Sequence, residues 1–122
     1  MQLIAKAILV VVGIVHLLPA TGVLGAAHLT RLYGLSFDEP NLAVLMRHRA
    51  VLFGLVGLFL IYAVWRSDLT WLAILAGLVS TVSFVWLAWA IGETNAAIGR
   101  VAVVDLVAIA CLLAAATIEA IR

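Results

Sequence analysis

Charged residues divide this chain into apolar runs of unequal length, and those runs predict its elements. Residues 7–30 and 69–92 contain no Asp, Glu, Lys or Arg. At about 24 residues each they exceed the roughly 20 that cross a bilayer as an α-helix. Two further uncharged runs, 50–65 and 106–118, hold only about 16 and 13 residues, below the usual threshold of about 18. They become spans only by taking charges inside, and local signals favour that reading. Ser36, Asp38, Glu39, Pro40 and Asn41 supply cap-type side chains, acids for an opening turn and a proline at a tolerated first helical position. A helix from near Pro40 to near Trp65 then carries Arg47, His48 and Arg49 about two turns inside itself. Before the last run, Gly99 and Arg100 precede Val101, Ala102, Val103, Val104 and Asp105, with apolar residues on both sides of the acid. A span over residues 101–118 therefore contains Asp105.

The pattern predicts four helices, at about 4–25, 40–65, 69–91 and 99–119, with an interfacial segment over about 26–39. Together they make one all-α transmembrane domain, residues 1–122, an integral membrane antiparallel four-helix bundle with both termini on one side. The segment around Ala26, His28, Arg31 and Tyr33 mixes polar and apolar positions and reads as a short helix or loop lying along the interface. Arg66, Ser67 and Asp68 form a tight turn between Trp65 and Trp71, whose indoles mark one interface, while Trp86 and Trp89 suit the other. Gly25, Ala26 and Ala27 have the look of a signal-peptide cleavage site, but the preceding apolar run outruns a signal core and is read as a retained span. With Arg47 and Arg49 counted as helical, Lys6, Arg66 and Arg122 lie on the side of the termini, against Arg31 and Arg100 opposite. The positive-inside rule then places both termini in the cytoplasm of a multi-pass inner (plasma) membrane protein; counting Arg47 and Arg49 as loop reverses the balance.

Composition agrees with the pattern. Of the 122 residues, 67% are hydrophobic and 11% charged, against roughly 45–50% and 25% in a soluble domain. A soluble nucleotide-binding enzyme, a nucleic-acid binder and a disordered tail each need polar surface that is missing here. The net charge of +1 gives no footprint for a polyanion. The single cysteine, Cys111, excludes an intrachain disulfide, a Cys-x-x-Cys pair and a haem-attachment motif.

The few polar residues in the helices gather in one half of the bilayer. At 1.5 Å per residue from the turn at Arg66, His16 lies about 15 Å in, Ser80 and Ser83 about 17 to 21 Å, Asp105 about 21 Å and Arg49, His48 and Arg47 about 25 to 28 Å. This cluster, Arg47, His48, Arg49, Asp105 and His16, is the candidate ligand-binding or polar site. A charge at mid-helix costs about 2.5–3.5 kcal/mol on insertion scales, so Asp105 is expected to face the interior and find a partner. Arg47 is favoured because it shares a helical arc with Ala50, Gly54 and Gly57, while Arg49 is rotated by about 200° from it. Contact of Asp105 with Arg47 or His48 is the expectation. A basic cluster anchoring phospholipid headgroups and a site for a small anion or lipid-like ligand both fit Arg47, His48 and Arg49. Asp105 serves either a structural ion pair or proton handling. His16 is expected to bond Ser80, Thr81 or Ser83, with proton transfer to Asp105 as the sharper alternative. Haem ligation by His16 and His48 fails on a depth difference of about 12 Å. His16, His28 and His48 lack metal-ligand spacing, so no metal and no cofactor is expected.

Two resemblances follow from these residues. The stretch from Leu32 through Tyr33, Gly34, Leu35, Ser36, Phe37, Asp38, Glu39, Pro40 and Asn41, with Leu45, Met46, Arg47, His48, Arg49, Ala50, Val51, Leu52, Phe53 and Gly54 after it, resembles small bacterial membrane proteins that carry the name phosphopantetheine adenylyltransferase. The soluble enzymes of that name use a Thr/His-x-Gly-His motif and a phosphate-cradling loop; here His16 is followed by Leu17, Leu18 and Pro19, and adenylyltransferase activity is not expected. More loosely, an arginine ahead of Gly54-x-x-Gly57 on the second of four short helices resembles the DoxX-like membrane proteins, some of which are subunits of quinone-linked oxidoreductases. The residues show no self-sufficient catalytic apparatus, and with this resemblance they suggest an accessory or partner-binding subunit; because four short helices bury little surface among themselves, a homo-oligomer or larger membrane complex is expected. The alternatives are a small transporter or binder of an anionic, quinone-like or lipid-like molecule and, third, a membrane enzyme acting on a lipid or quinone.

Overall fold

The computed structural model describes residues 2–36 and 39–122, and among them the chain is all-helical, without a strand. The helices are α1 (Gln2–Ala20), α2 (Ala26–Tyr33), α3 (Pro40–Tyr62), α4 (Thr70–Ile91) and α5 (Ala96–Ala120). Short 3-10 turns extend α1 over Thr21–Leu24 and α3 over Ala63–Trp65, and Ser67–Leu69 leads into α4. Four stretches, Gln2–Leu24, Pro40–Trp65, Ser67–Ile91 and Ala96–Ala120, are long and apolar enough to cross a membrane, with mean hydropathy from 1.8 to 2.6. No more than 28% of any of them is buried inside the chain. Leu, Val, Ile and Trp side chains therefore cover the outside.

The helix boundaries have local causes. The Glu39 carboxylate caps α3 by accepting from the backbone N–H of Asn41 at 3.1 Å and of Leu42 at 2.9 Å, with Pro40 in the first helical position, where no N–H is needed. Asp38, read from sequence as another acid of that turn, lies outside the described residues. α5 starts at Ala96 rather than at residue 99 because the Asn95 side chain accepts from Ile98 N–H at 2.8 Å and caps the helix there. The first helix, expected over residues 4–25 with a bend or end at Pro19, Gly22 and Gly25, leaves α geometry after Pro19 and Ala20 and tightens into its 3-10 turn.

α1 packs most extensively on α3, α4 on α5, and α1 also on α5; α3 and α4 touch only lightly. Two glycines set the α1–α3 seam. A Cβ on Gly57 would stand 2.7 Å from the Gly13 carbonyl oxygen, and one on Gly13 would stand 2.8 Å from that of Gly57. The backbones touch, as small residues in apolar helices permit. Leu9, Val12, Leu60, Ile74 and Leu112 fill the core beside this seam. α2 docks separately, burying Leu29 and Tyr33 against Met46, Ile98 and Val101. Asn95 fastens it by donating from Nδ2 to the Tyr33 carbonyl at 2.8 Å, and Gly34, at φ 68°, ends it in the left-handed conformation open to glycine.

Candidate functional site

Close packing at Gly13 and Gly57 fixes what stands one turn further along each helix. On α1 that is His16, 3% exposed. Its Nδ1–H donates to the Val12 carbonyl at 2.9 Å, which leaves Nε2 to accept from the Ser80 hydroxyl, also at 2.9 Å. Of the three hydroxyl partners expected for His16, Ser80 is the one used. Thr81 instead returns its hydroxyl to the Gly77 carbonyl, and Ser83 to that of Ser80.

On α3, Arg49, Phe53 and Val56 follow one another at helical spacing beside the glycine seam, and the Phe53 ring stands 5.7 Å from that of His16. The Arg49 guanidinium lies among three rings, 4.4 Å from the centroid of Phe53, 5.3 Å from Tyr33 and 5.4 Å from Phe84. One of its nitrogens donates to the Tyr33 hydroxyl at 2.6 Å. Ring faces carry negative charge density and keep a guanidinium tolerable in apolar surroundings. The fit depends on α2 bringing Tyr33 back over α3, and therefore on Asn95.

Where the helices diverge beyond the seam, a cavity of about 260 Å³ opens between α1, α2, α3 and α5. Its apolar wall includes Val15, Leu18, Phe53 and Val104, and its polar groups are His16, Arg31, Tyr33, Arg49, Arg100 and Asp105. Asp105 is 8% exposed and makes no hydrogen bond or ion pair with any described residue, although Arg49 acts on it electrostatically. Arg31, in the last turn of α2, and Arg100, in the first turns of α5, are exposed and likewise make no hydrogen bond or ion pair among the described residues. Three arginines and one carboxylate thus line the same cavity. A second cavity of about 240 Å³ lies between α3 and α4, and Arg49 and Phe53 form part of both walls.

The structure corrects the choice of arginine. Arg47 does not meet Asp105: it is exposed, and its Nε donates to the Val23 carbonyl at 2.9 Å, at the edge of the 3-10 turn after α1. His48 is exposed and borders neither cavity, so it does not contact Asp105, and it does not share a cavity with His16. The arc of Ala50, Gly54 and Gly57 marks the face where α1 comes close, and close contact leaves no room for a guanidinium. Polar space lies where bulky Phe53 holds the helices apart. Sequence reasoning missed Arg31, Arg100, Tyr33 and Phe53 as site residues. Phe53 was within reach as the residue one turn from Arg49, and Arg100 as the nearest cation before Asp105; Arg31 and Tyr33 depend on how α2 docks. Among the described residues no group of three His, Cys, Asp or Glu is placed to hold a metal.

Comparison with protein-family models, with curated proteins and with solved structures gives no match. The functional reading therefore stands on the site alone.

Proposed function

We propose that this chain is a multi-pass membrane protein that binds an anionic, lipid-like molecule in the cavity between α1, α2, α3 and α5. In this reading its four spans cross the inner membrane as an antiparallel bundle with both termini in the cytoplasm. The observation that carries the proposal is the division of the cavity wall: apolar side chains line much of it, and two cations without a partner among the described residues, Arg31 and Arg100, stand near the ends of α2 and α5 that border it. An amphiphile with an apolar chain and an anionic group matches both parts. A neutral lipid leaves the arginines unused, and a small inorganic anion leaves the apolar wall unused. As an accessory subunit, the protein contributes a ligand site to a larger membrane complex rather than a reaction of its own.

The test compares amphiphiles of one chain length in a neutral detergent, with affinity read by native mass spectrometry. Dodecyl phosphate is expected to bind at least about tenfold more tightly than dodecyltrimethylammonium, and the Arg31→Gln, Arg100→Gln double variant to lose most of that preference. Equal affinity of the two amphiphiles for the wild-type protein contradicts the proposal.

A further inference from the structure

Arg49 and Asp105 border the same cavity from α3 and α5, opposite in charge, and do not pair. Asp105 has no hydrogen-bond or ion-pair partner among the described residues, its carboxylate open to the cavity, and Arg49 has donors to spare beyond its bond to Tyr33. Asp105 is more than nine-tenths buried and borders the open volume. Of the five N–H donors of Arg49, the described residues accept from it only through the Tyr33 hydroxyl, and its remaining contacts are ring faces. A group that satisfies both side chains at once must accept a hydrogen bond from the guanidinium and donate one to the carboxylate. A hydroxyl does this with one atom.

The hydroxyl's position relative to the anionic group follows from α5. Arg100 and Asp105 are five residues apart, about 7.5 Å along the helix axis. The group held by Arg100 and Arg31 therefore sits near one end of the cavity, and the group held by Asp105 sits further along it.

We propose that the cavity selects a hydroxylated anionic amphiphile, whose hydroxyl bridges Arg49 and Asp105 while its anionic group lies with Arg31 and Arg100. This rests on the anionic-amphiphile reading above and adds the substrate class to it. A single-chain phospholipid with a free glycerol hydroxyl and a hydroxylated fatty acid share this chemistry. Asp105 is the specificity-determining residue: it discriminates for the hydroxyl and adds nothing to the attraction for the anion.

The experiment uses the intact protein and two probes that differ by one oxygen: dodecyl phosphate, and its derivative with a hydroxyl on the carbon next to the phosphate-bearing one. The hydroxylated probe is expected to bind about tenfold more tightly to the wild-type protein, because the unhydroxylated one covers the Asp105 carboxylate with its chain and gives it no donor. In Asp105→Val the advantage falls to about twofold or less, while dodecyl phosphate itself binds as tightly as before or more tightly, since a negative charge has left the cavity. Equal wild-type affinity for the two probes overturns the hydroxyl site and leaves the anionic-amphiphile reading standing. Failure of both probes to bind overturns both. The wild-type comparison decides the matter even where Asp105→Val does not fold. A tetradecyl phosphate and myristate pair, each with and without the same hydroxyl, then separates the two sources: the larger hydroxyl advantage on the phosphate supports a phospholipid, and on the carboxylate a hydroxylated fatty acid.

Discussion

The two ends of this molecule treat their charges in opposite ways. At the end where α3 passes into α4, Arg66 grips Asp68 with two parallel hydrogen bonds of 3.0 and 2.7 Å and reaches Tyr62 at 3.3 Å. Hydrogen bonding to Asp68 raises the Arg66 pKa further above its ordinary value. Near the C-terminus Arg122 meets Glu119 at 3.3 Å. These partners lie within three or four residues of each other and are assembled by the local chain. At the other end, Arg31, Arg49, Arg100 and Asp105 come from three separate helices, α2, α3 and α5, line one cavity and form no pair among themselves. The larger cavity of about 450 Å³ belongs to the first end. Lys6 lines that cavity without a hydrogen bond or ion pair among the described residues, but no carboxylate lines it beside the lysine. Charges that the local chain pairs need no further partner, and charges held apart in a shared cavity are the ones that the proposed ligand would meet.

The largest expected effect breaks both ends together. Replacing Gly57 by Val puts branched carbon where even a Cβ meets backbone at 2.7 Å, so the α1–α3 seam must open. Overpacking costs about 1–3 kcal/mol where neighbours can yield, and a backbone carbonyl yields less than a side chain. Thermal unfolding in detergent is expected to drop sharply or the folded protein to be lost, whereas Gly99→Ala, which meets nothing within 4 Å, leaves it unchanged. The next effect separates the ends. Arg49→Gln is expected to weaken dodecyl phosphate binding severalfold, while Asp68→Asn at the opposite end leaves binding and unfolding temperature unchanged within error, as exposed pairs do.

A smaller effect concerns His16. Ser80→Ala removes the partner of Nε2 and is expected to cost about 0.5–1.5 kcal/mol, in the range of hydrogen bonds between membrane helices. The same change at Ser83, which bonds only within its own helix, is expected to cost less. The smallest effect is a pH dependence. Two backbone N–H groups hold the Glu39 carboxylate below its ordinary pKa. A folded-state pKa below the unfolded one contributes stability that is full above the unfolded value and is lost as pH falls through the folded one. Unfolding temperature is therefore expected to decline slightly on acidification below the ordinary carboxylate range, and Glu39→Gln to lessen that decline.

How far the sequence went, and where it stopped, follows from the same contrast. Apolar runs and caps are local, so the start of α3 at Pro40, the turn at Arg66 and the presence of Asp105 inside a long helix could be read directly. The arginine that faces the cavity could not, because small residues announce contact and say nothing of where space is left. Arg47 follows the glycine arc to a backbone carbonyl; Arg49 follows Phe53 into the cavity. The docking of α2 was hidden for another reason. Beside the burial of Leu29 and Tyr33 it is fastened by the Asn95 side chain, bonded to a carbonyl more than sixty residues earlier in the chain, and no periodicity records such contacts.

The central claim, that the unpaired charges mark a ligand site, is tested most directly by photolabelling. The protein in native membranes is exposed to a fatty acid bearing a diazirine in its chain, illuminated and digested, and the labelled residues are located by mass spectrometry. Label is expected on residues around Val15, Phe53 and Val104, competed away by dodecyl phosphate and reduced by Arg49→Gln. Label spread evenly over the four spans, or gathered beside Lys6 and Trp65 at the opposite end and indifferent to the competitor, contradicts it.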